Sequence, residues 1–258
     1  MAKILVITNQ KGGVGKTTTA VNLSASLAAS GQRVLLIDLD PQGNASMGSG
    51  INKGQLQYSA YHVLLGTASA AQVRLRSAEG GYDVLPANRE LGGAEIELVD
   101  LAQRETRLKD ALDPLRDDYD FIVIDCPPAL NLLTLNGLVA ADRVMIPMQC
   151  EYFALEGLTD LVNTLRKVRA GLNPQIEIEG LLRTMYDPRS TLAQQVAAQL
   201  KQHFGDKVYN TVIPRNVRLA EAPSHGLPAL AYDRHSKGAQ AYLALARELL
   251  DKQPVVAA

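Results

Sequence analysis

Residues 11–18 read Lys-Gly-Gly-Val-Gly-Lys-Thr-Thr, after the apolar run Ile4-Leu5-Val6-Ile7 and before Thr19-Ala20-Val21-Asn22-Leu23. A strand, a glycine-rich turn and a helix start, in that order, can wrap a phosphate chain in backbone N–H groups. Gly12, Gly13 and Gly15 permit the tight turn and the close approach, and Val14 and Thr18 belong to the same cradle. Lys16 can reach the β- and γ-phosphates of a nucleotide, and the Thr17 hydroxyl can ligate Mg²⁺. The strict pattern for such a loop asks for a glycine five residues before Gly15, and that position is Gln10. Lys11 opens the loop instead, which makes it the deviant form K-G-G-x-G-K-T-T.

Two further segments supply carboxylates. The apolar strand Phe121-Ile122-Val123-Ile124 ends in Asp125, before the rigid turn Cys126-Pro127-Pro128. An Asp at the C-terminal end of a strand beside a phosphate loop holds Mg²⁺, usually through water. Without the loop, helix capping would explain it equally well. Val34-Leu35-Leu36-Ile37 ends in Asp38-Leu39-Asp40-Pro41. Ligands of open α/β sheets sit at the carboxyl ends of strands. Asp40 opens a Gly-, Ser-, Asn- and Gln-rich stretch and can approach a γ-phosphate as that stretch closes. Phosphoryl transfer to water needs an oriented water, a metal and positive charge on the developing oxyanions. Asp40 can orient the water, with Lys11, Lys16 and Mg²⁺ supplying the charge. The competing role of Asp40 is a turn residue before proline.

The elements that must position these groups are legible as short apolar runs, the pattern of buried parallel strands. Strands are expected over 3–8, 33–37, 121–124, 144–148, 176–182 and 208–213, with a short one over 82–85. Helices are expected over 16–30, 103–115, 131–140, 155–170, 191–204 and 237–251, with another near 90–101. Leu192, Val196, Leu200 and Phe204 mark the inner face of one, and Leu243, Ala246 and Leu250 that of the last. The stretch 41–58 reads as a mobile loop, and the tail 253–258 is expected to fray. The alternation predicts an α/β fold, a mostly parallel sheet with helices on both faces, in a single domain over 1–258.

The chain has 258 residues, 47% of them hydrophobic, with no Trp and three Phe, so its core must be aliphatic. The first strand is expected to begin at residue 3, and neither a signal peptide nor an N-terminal DNA-reading domain is expected ahead of it. No apolar run reaches the ~18 residues that span a membrane. Cys126 and Cys150 lack metal-ligand or cluster spacing and read as reduced core thiols of a cytoplasmic protein. Net charge is −1, which alone argues against strong nucleic-acid binding. Its distribution differs: from 183 to 252, ten Lys/Arg stand against six Asp/Glu, a hint of an anionic partner for that part.

The loop K-G-G-V-G-K-T-T, the segment D-L-D-P-Q-G-N and the strand F-I-V-I-D-C-P-P together resemble the ParA/Soj chromosome-partitioning ATPases, P-loop NTPases with a deviant Walker A loop. M-Y-D-P-R-S at 185–190, I-P-R-N-V-R-L-A-E-A-P-S-H-G-L-P at 213–228 and Y-D-R-H-S-K-G-A at 232–239 extend the resemblance over nearly the whole chain. It implies an ATP- and Mg²⁺-dependent homodimer. Lys11 matches the lysine that crosses to the phosphates of the other subunit, and Gly12 the glycine at the close-packed dimer face. Asp40 matches the residue needed for hydrolysis, and Thr17, Asp40 and Asp125 surround the metal. Pro214 and Asn216 match the segment near the adenine. The resemblance also implies non-specific binding of double-stranded DNA by the dimer, carried here by Arg189 and Arg218 with Lys201, Lys207 and Lys237 as companions. A ParB-like centromere-binding protein would stimulate hydrolysis and release the DNA, which makes the expected location cytoplasmic and nucleoid-associated. The alternative is a MinD-like membrane-cycling ATPase, which shares the loop but ends in a basic amphipathic helix. The stretch Asp251-Lys252-Gln253-Pro254-Val255-Val256 offers none, so no stable membrane association is expected.

Overall fold

Consecutive residues of a strand point to opposite faces of its sheet, and here both faces are apolar. In the computed structural model, which describes residues 1–252, the strands are β1 (Lys3–Ile7), β2 (Val34–Asp38), β3 (Leu75–Ser77), β4 (Tyr82–Leu85), β5 (Phe121–Asp125), β6 (Arg143–Met148), β7 (Glu177–Tyr186) and β8 (Val208–Pro214). Ile4 and Val6 of β1, Leu35 and Ile37 of β2, and Ile122 and Ile124 of β5 enter one core. Leu5 and Ile7, Val34 and Leu36, and Phe121 and Val123 enter the other. Each such Leu or Ile contributes about 1.5–3 kcal/mol by leaving water.

The strands form one sheet in the order β3-β4-β2-β5-β1-β6-β7-β8. All neighbours run parallel except β3 and β4. The helices are α1 (Lys16–Ala29), α2 (Asn44–Gly48), α3 (Ala60–Leu65), α4 (Ala70–Val73), α5 (Leu91–Glu97), α6 (Arg107–Leu112), α7 (Leu132–Ala140), α8 (Ala154–Gly171), α9 (Thr191–Phe204), α10 (Val217–Glu221), α11 (Ala229–Tyr232) and α12 (Lys237–Asp251). Buried residues of α3 to α9 join the first core, and those of α1, α2 and α10 to α12 the second. The mostly parallel sheet with helices on both faces is therefore as expected. The expected frayed tail, 253–258, lies outside the described residues.

Several elements differ from expectation. Strand β7 runs four residues further than its apolar run, because its end pairs with β8 as far as Tyr186↔Pro214. The helix expected over 103–115 shortens to α6 followed by a 3-10 turn, Asp113–Leu115, since Gln103 takes φ 54° and Pro114 cannot continue the ladder. In α9 the buried face is Ala193, Val196, Ala197 and Leu200, while Leu192 is 45% exposed. A four-residue spacing drifts by roughly 40° per step around a 3.6-residue turn, so Leu192 leaves the stripe, while Phe204 at the other end packs against the core. In α12 the stripe is Tyr242, Leu245, Ala246 and Leu249, with Leu243 and Leu250 at its margins.

The largest correction concerns 41–58. It is not a continuous loop: it holds α2 and a 3-10 turn, Lys53–Gln55. The buried Asp38 carboxylate accepts from the Ser46 N–H at 2.8 Å and the Ser46 hydroxyl at 2.7 Å, and Ser46 Oγ accepts from Ala87 N at 2.9 Å. The segment is thus tied to β2 and to the chain just after β4. Gly43 sits at its hinge with φ 61°, where a Cβ would stand 2.5 Å from the Ala87 carbonyl oxygen. We expect Gly43→Ala to cost about 2 kcal/mol or more in urea denaturation, from backbone strain and overlap together. Gly12→Ala is the contrast, since a Cβ there meets nothing within 4 Å; its cost should stay within about 0.5 kcal/mol.

Candidate functional site

The loop after β1 lies where the sheet changes direction. From β1 the chain crosses through α1 to β2 on one side, and from β5 it crosses through α7 to β6 on the other. Such switch points, at the C-terminal ends of strands, are where open α/β sheets bind ligands. Gly13 and Gly15 take φ 73° and 87°, which turns the chain into α1. Gly15 is the N-cap and offers no side chain, so the first N–H groups of a 14-residue helix are uncapped and available to an anion. Thr184 Oγ1 donates to the Val14 carbonyl at 2.8 Å and Gln149 Nε2 to the Gly13 carbonyl at 3.1 Å, so the ends of β6 and β7 brace the loop.

Lys16 is 6% exposed and its Nζ donates to the Lys11 carbonyl at 2.9 Å. Burial lowers its pKa, while Asp125, Cys126 and Asp40 pull it back up. The Lys11 side chain turns away from the loop and pairs with Glu151 Oε2 at 2.5 Å. Gly12 is exposed with a negative-side or extended φ and open space around it, so nothing within the chain itself requires glycine there.

The three carboxylates at the strand ends have different circumstances. Asp38 and Asp125 stand opposite each other in the β2–β5 register and are both fully buried. Asp38 is satisfied by Ser46 and by the Asp40 N–H at 3.1 Å; burial still pushes its pKa up to about 6. Neither oxygen of Asp125 has a partner in hydrogen-bond geometry. Burial and the neighbouring Asp38 raise its pKa well above the usual range; the Thr17 hydroxyl and Lys16 lie near enough to oppose this without closing a hydrogen bond. Asp40 is half-buried and its Oδ1 accepts from the Gln42 N–H at 2.9 Å, the turn geometry that competes with a catalytic role. Among the described residues no group of three or more His, Cys, Asp or Glu is arranged to hold a metal by itself. An orphaned carboxylate beside a threonine hydroxyl and a phosphate loop instead fits Mg²⁺, which takes few protein ligands and completes its shell with phosphate and water.

Beside the loop lies a cavity of about 180 Å³ bounded by Gly15, Thr18, Met185, Pro214, Arg215 and Asn216. Pro214 and Asn216 are thus placed next to the phosphate cradle. A larger groove, about 420 Å³, runs between α8 and the start of β7 past Arg166, Arg169 and Lys207. It contains none of the loop residues, whereas the smaller cavity includes Gly15 and Thr18. Asn9, Gln149, Glu151, Thr184 and Met185 join the site without having been singled out from the sequence. The signal was present: they follow the apolar runs of β1, β6 and β7, at strand ends.

The cationic residues expected on the DNA side fall into two groups. Arg189, 89% exposed, is held by both oxygens of Asp187, which draws that carboxyl down to about 2. Arg218 pairs with Glu221 at 2.8 Å and Asp233 at 3.3 Å. Lys201, Lys207 and Lys237 are exposed and form no salt bridge among the described residues. The two cysteines are free and buried.

Comparison with known proteins agrees with this geometry. Residues 2–178 match the family described as AAA domain, AAA_31. The chain is 55% identical over 249 residues to the sporulation initiation inhibitor protein Soj of Bacillus subtilis, covering 96% of this chain and 98% of that one. It is 54% identical over 253 residues to the chromosome partitioning protein ParA of Caulobacter vibrioides, covering 97% and 95%. Among solved structures, cobyrinic acid a,c-diamide synthase from Mycobacterium smegmatis, with bound ATP analogue and magnesium, superposes with a TM-score of 0.85 at 39% identity, covering 97% and 95%.

The unpaired Asp125 has a measurable signature. A buried acid whose pKa is raised binds a proton in the folded chain that the unfolded chain has already released. The stability it contributes is full below about pH 4 and is lost as pH rises through the folded pKa. Asp125→Asn removes this penalty. We expect the variant, without nucleotide, to melt higher than the wild type at pH 8, by an amount equivalent to about 1 kcal/mol or more, and to lose that advantage towards pH 4. Thermal unfolding of both proteins across that range measures the difference.

Proposed function

The chain belongs to the ParA/Soj chromosome-partitioning ATPases, and on that premise we propose that it hydrolyses ATP with Mg²⁺ as a nucleotide-gated dimer that binds DNA without reading its sequence. The observation that carries the reading is the pairing of an uncapped phosphate loop with an orphaned buried carboxylate, Asp125. Thr17 and Asp125, with Asp40 at the rim, would hold Mg²⁺, which neutralises phosphate charge when bound. Lys16 and the N–H groups of residues 12–17 bind and orient the phosphates. Asp40 orients the attacking water once it gives up its turn contact with Gln42. Pro214 and Asn216 border the place for the adenine.

Gly12 supports pairing of two copies. Its own chain leaves space for a side chain, which is compatible with the role that the family resemblance gives this glycine, at a close-packed face between two copies. Lys11 beside it can then reach the phosphates of the second copy. Doubling a net-positive C-terminal part adds phosphate contacts, and affinity for DNA climbs steeply with their number. ATP thereby gates DNA binding through pairing. A ParB-like protein that speeds hydrolysis would release the DNA, and the protein would reside in the cytoplasm on the nucleoid. No helix among the described residues is long and apolar enough to cross a membrane.

Phosphate release, measured alone and with DNA plus the ParB-like partner, should be slow and then rise; absence of ATP binding would sink the proposal. Asp40→Ala should lower hydrolysis at least ~100-fold while ATP binding and the dimer persist, because water orientation acts on the transition state and not on the bound phosphates. A variant that hydrolyses at the wild-type rate removes Asp40 from the chemistry. For DNA, Arg189→Glu and Arg218→Glu are each expected to weaken ATP-dependent binding by ~10-fold or more. Wild-type affinity should be equal on unrelated duplexes and fall with salt. Polarisation at two salt concentrations reads both effects, and unchanged affinity in both variants would move the surface to Lys201, Lys207 and Lys237.

A further inference from the structure

Lys11 has one ammonium group, and in this structure it is already engaged. Its Nζ donates to Glu151 Oε2 at 2.5 Å, across 140 residues of sequence. Everything else about Lys11 is held in place. Its N–H donates to Asn9 Oδ1 at 3.0 Å, while Asn9 Nδ2 donates to the Pro147 carbonyl at 2.9 Å. Its carbonyl accepts from Lys16 Nζ, and Gln149 Nε2 donates to the next-but-one carbonyl, that of Gly13. These contacts stitch the loop mouth to residues 147–151, because β1 and β6 are parallel neighbours that end side by side. The Glu151 side chain makes no other hydrogen bond or salt bridge among the described residues.

We propose that Glu151 is a positioning residue for Lys11: it retains the lysine on its own subunit and sets how much ATP is needed before two copies pair. This rests on the reading that Lys11 crosses to the phosphates of a second copy. The lysine cannot do so and remain on Glu151, so each pairing event breaks two such contacts, one per subunit. Both partners are about half exposed, at 47% and 50%. An exposed ion pair is weak and screened by salt. The threshold is therefore adjusted and not locked, and the double count makes the adjustment visible. Releasing the lysine also leaves Glu151 unpaired at the subunit rim, so the carboxylate favours the unpaired state from both directions.

The test compares wild type with Glu151→Gln, titrating the non-hydrolysable analogue adenylyl imidodiphosphate with Mg²⁺ and following the dimer by light scattering. Glutamine keeps the size and loses the charge. The midpoint should fall about two- to fivefold in the variant, at 50 mM salt, and the gap should narrow at 300 mM as screening weakens the wild-type contact. A residue with only a structural role would not produce that convergence. Glu151→Asp, which keeps the charge on a shorter arm, should fall between the two and serves if the glutamine variant is poorly folded. Equal or higher midpoints in both variants remove Glu151 from this role. A wild type that stays monomeric at saturating analogue overturns the pairing reading itself, and this inference with it.

Discussion

Two buried carboxylates set side by side at the ends of neighbouring parallel strands are the constraint around which the rest is arranged. Asp38 and Asp125 share a register position on β2 and β5, and both are out of water. Burying one unpaired charge is costly, and burying two of the same sign costs more. The fold treats them differently. Asp38 is given three hydrogen bonds and becomes an anchor for the segment that carries Asp40. Asp125 is given none from the protein, and burial without a partner costs stability. A cation brought in with phosphates would restore it, which links the fold's energetics directly to ligand binding.

The same division runs through the lysines of the loop. Lys16 is buried, depressed in pKa by desolvation and aimed along the loop, poised to gain more from phosphate than an exposed lysine would. Lys11 is outside, held by a half-exposed carboxylate, and costs little to move. One cation is thus committed to its own site and the other is exchangeable. Gly12, between them in function and adjacent to Lys11 in sequence, is free of any internal reason to be glycine. An exchangeable cation beside an unobstructed backbone is what the proposed pairing of two copies would require.

Charge on the far part of the chain also divides into committed and open groups. Arg189 and Arg218 are chelated by local carboxylates, which fixes their direction but offsets their charge. A phosphate-bearing partner of these two arginines would have to displace or outbid Asp187, Glu221 and Asp233. Lys201, Lys207 and Lys237 face no such competition among the described residues. Arginine's planar fork suits a defined geometry and lysine a diffuse one, so the two sets can serve orientation and attraction respectively.

The phosphate loop was legible in the sequence because everything it needs is local. A short apolar run makes the strand, glycines that accept positive φ make the turn, and Lys16 and Thr17 follow within the first turn of the helix. Asp125 was legible for the same reason, as the polar stop of a buried strand, and so was the parallel sheet, whose strands are apolar on both faces. Other features depended on which strands became neighbours, and no local pattern encodes that order. Glu151 meets Lys11 only because β6 lies next to β1. The stretch 41–58 gains its helix only because Asp38, Ser46 and Ala87 converge from β2, α2 and the chain after β4. The face of α9 was placed correctly except for Leu192, because a strict four-residue spacing drifts around a 3.6-residue turn, and in α12 packing against the sheet centres the stripe on Tyr242, Leu245, Ala246 and Leu249. Chemistry that fits within a dozen residues was written in the chain; pairings such as Lys11 with Glu151 and Lys3 with Glu179, far apart in sequence, were decided by which strands became neighbours.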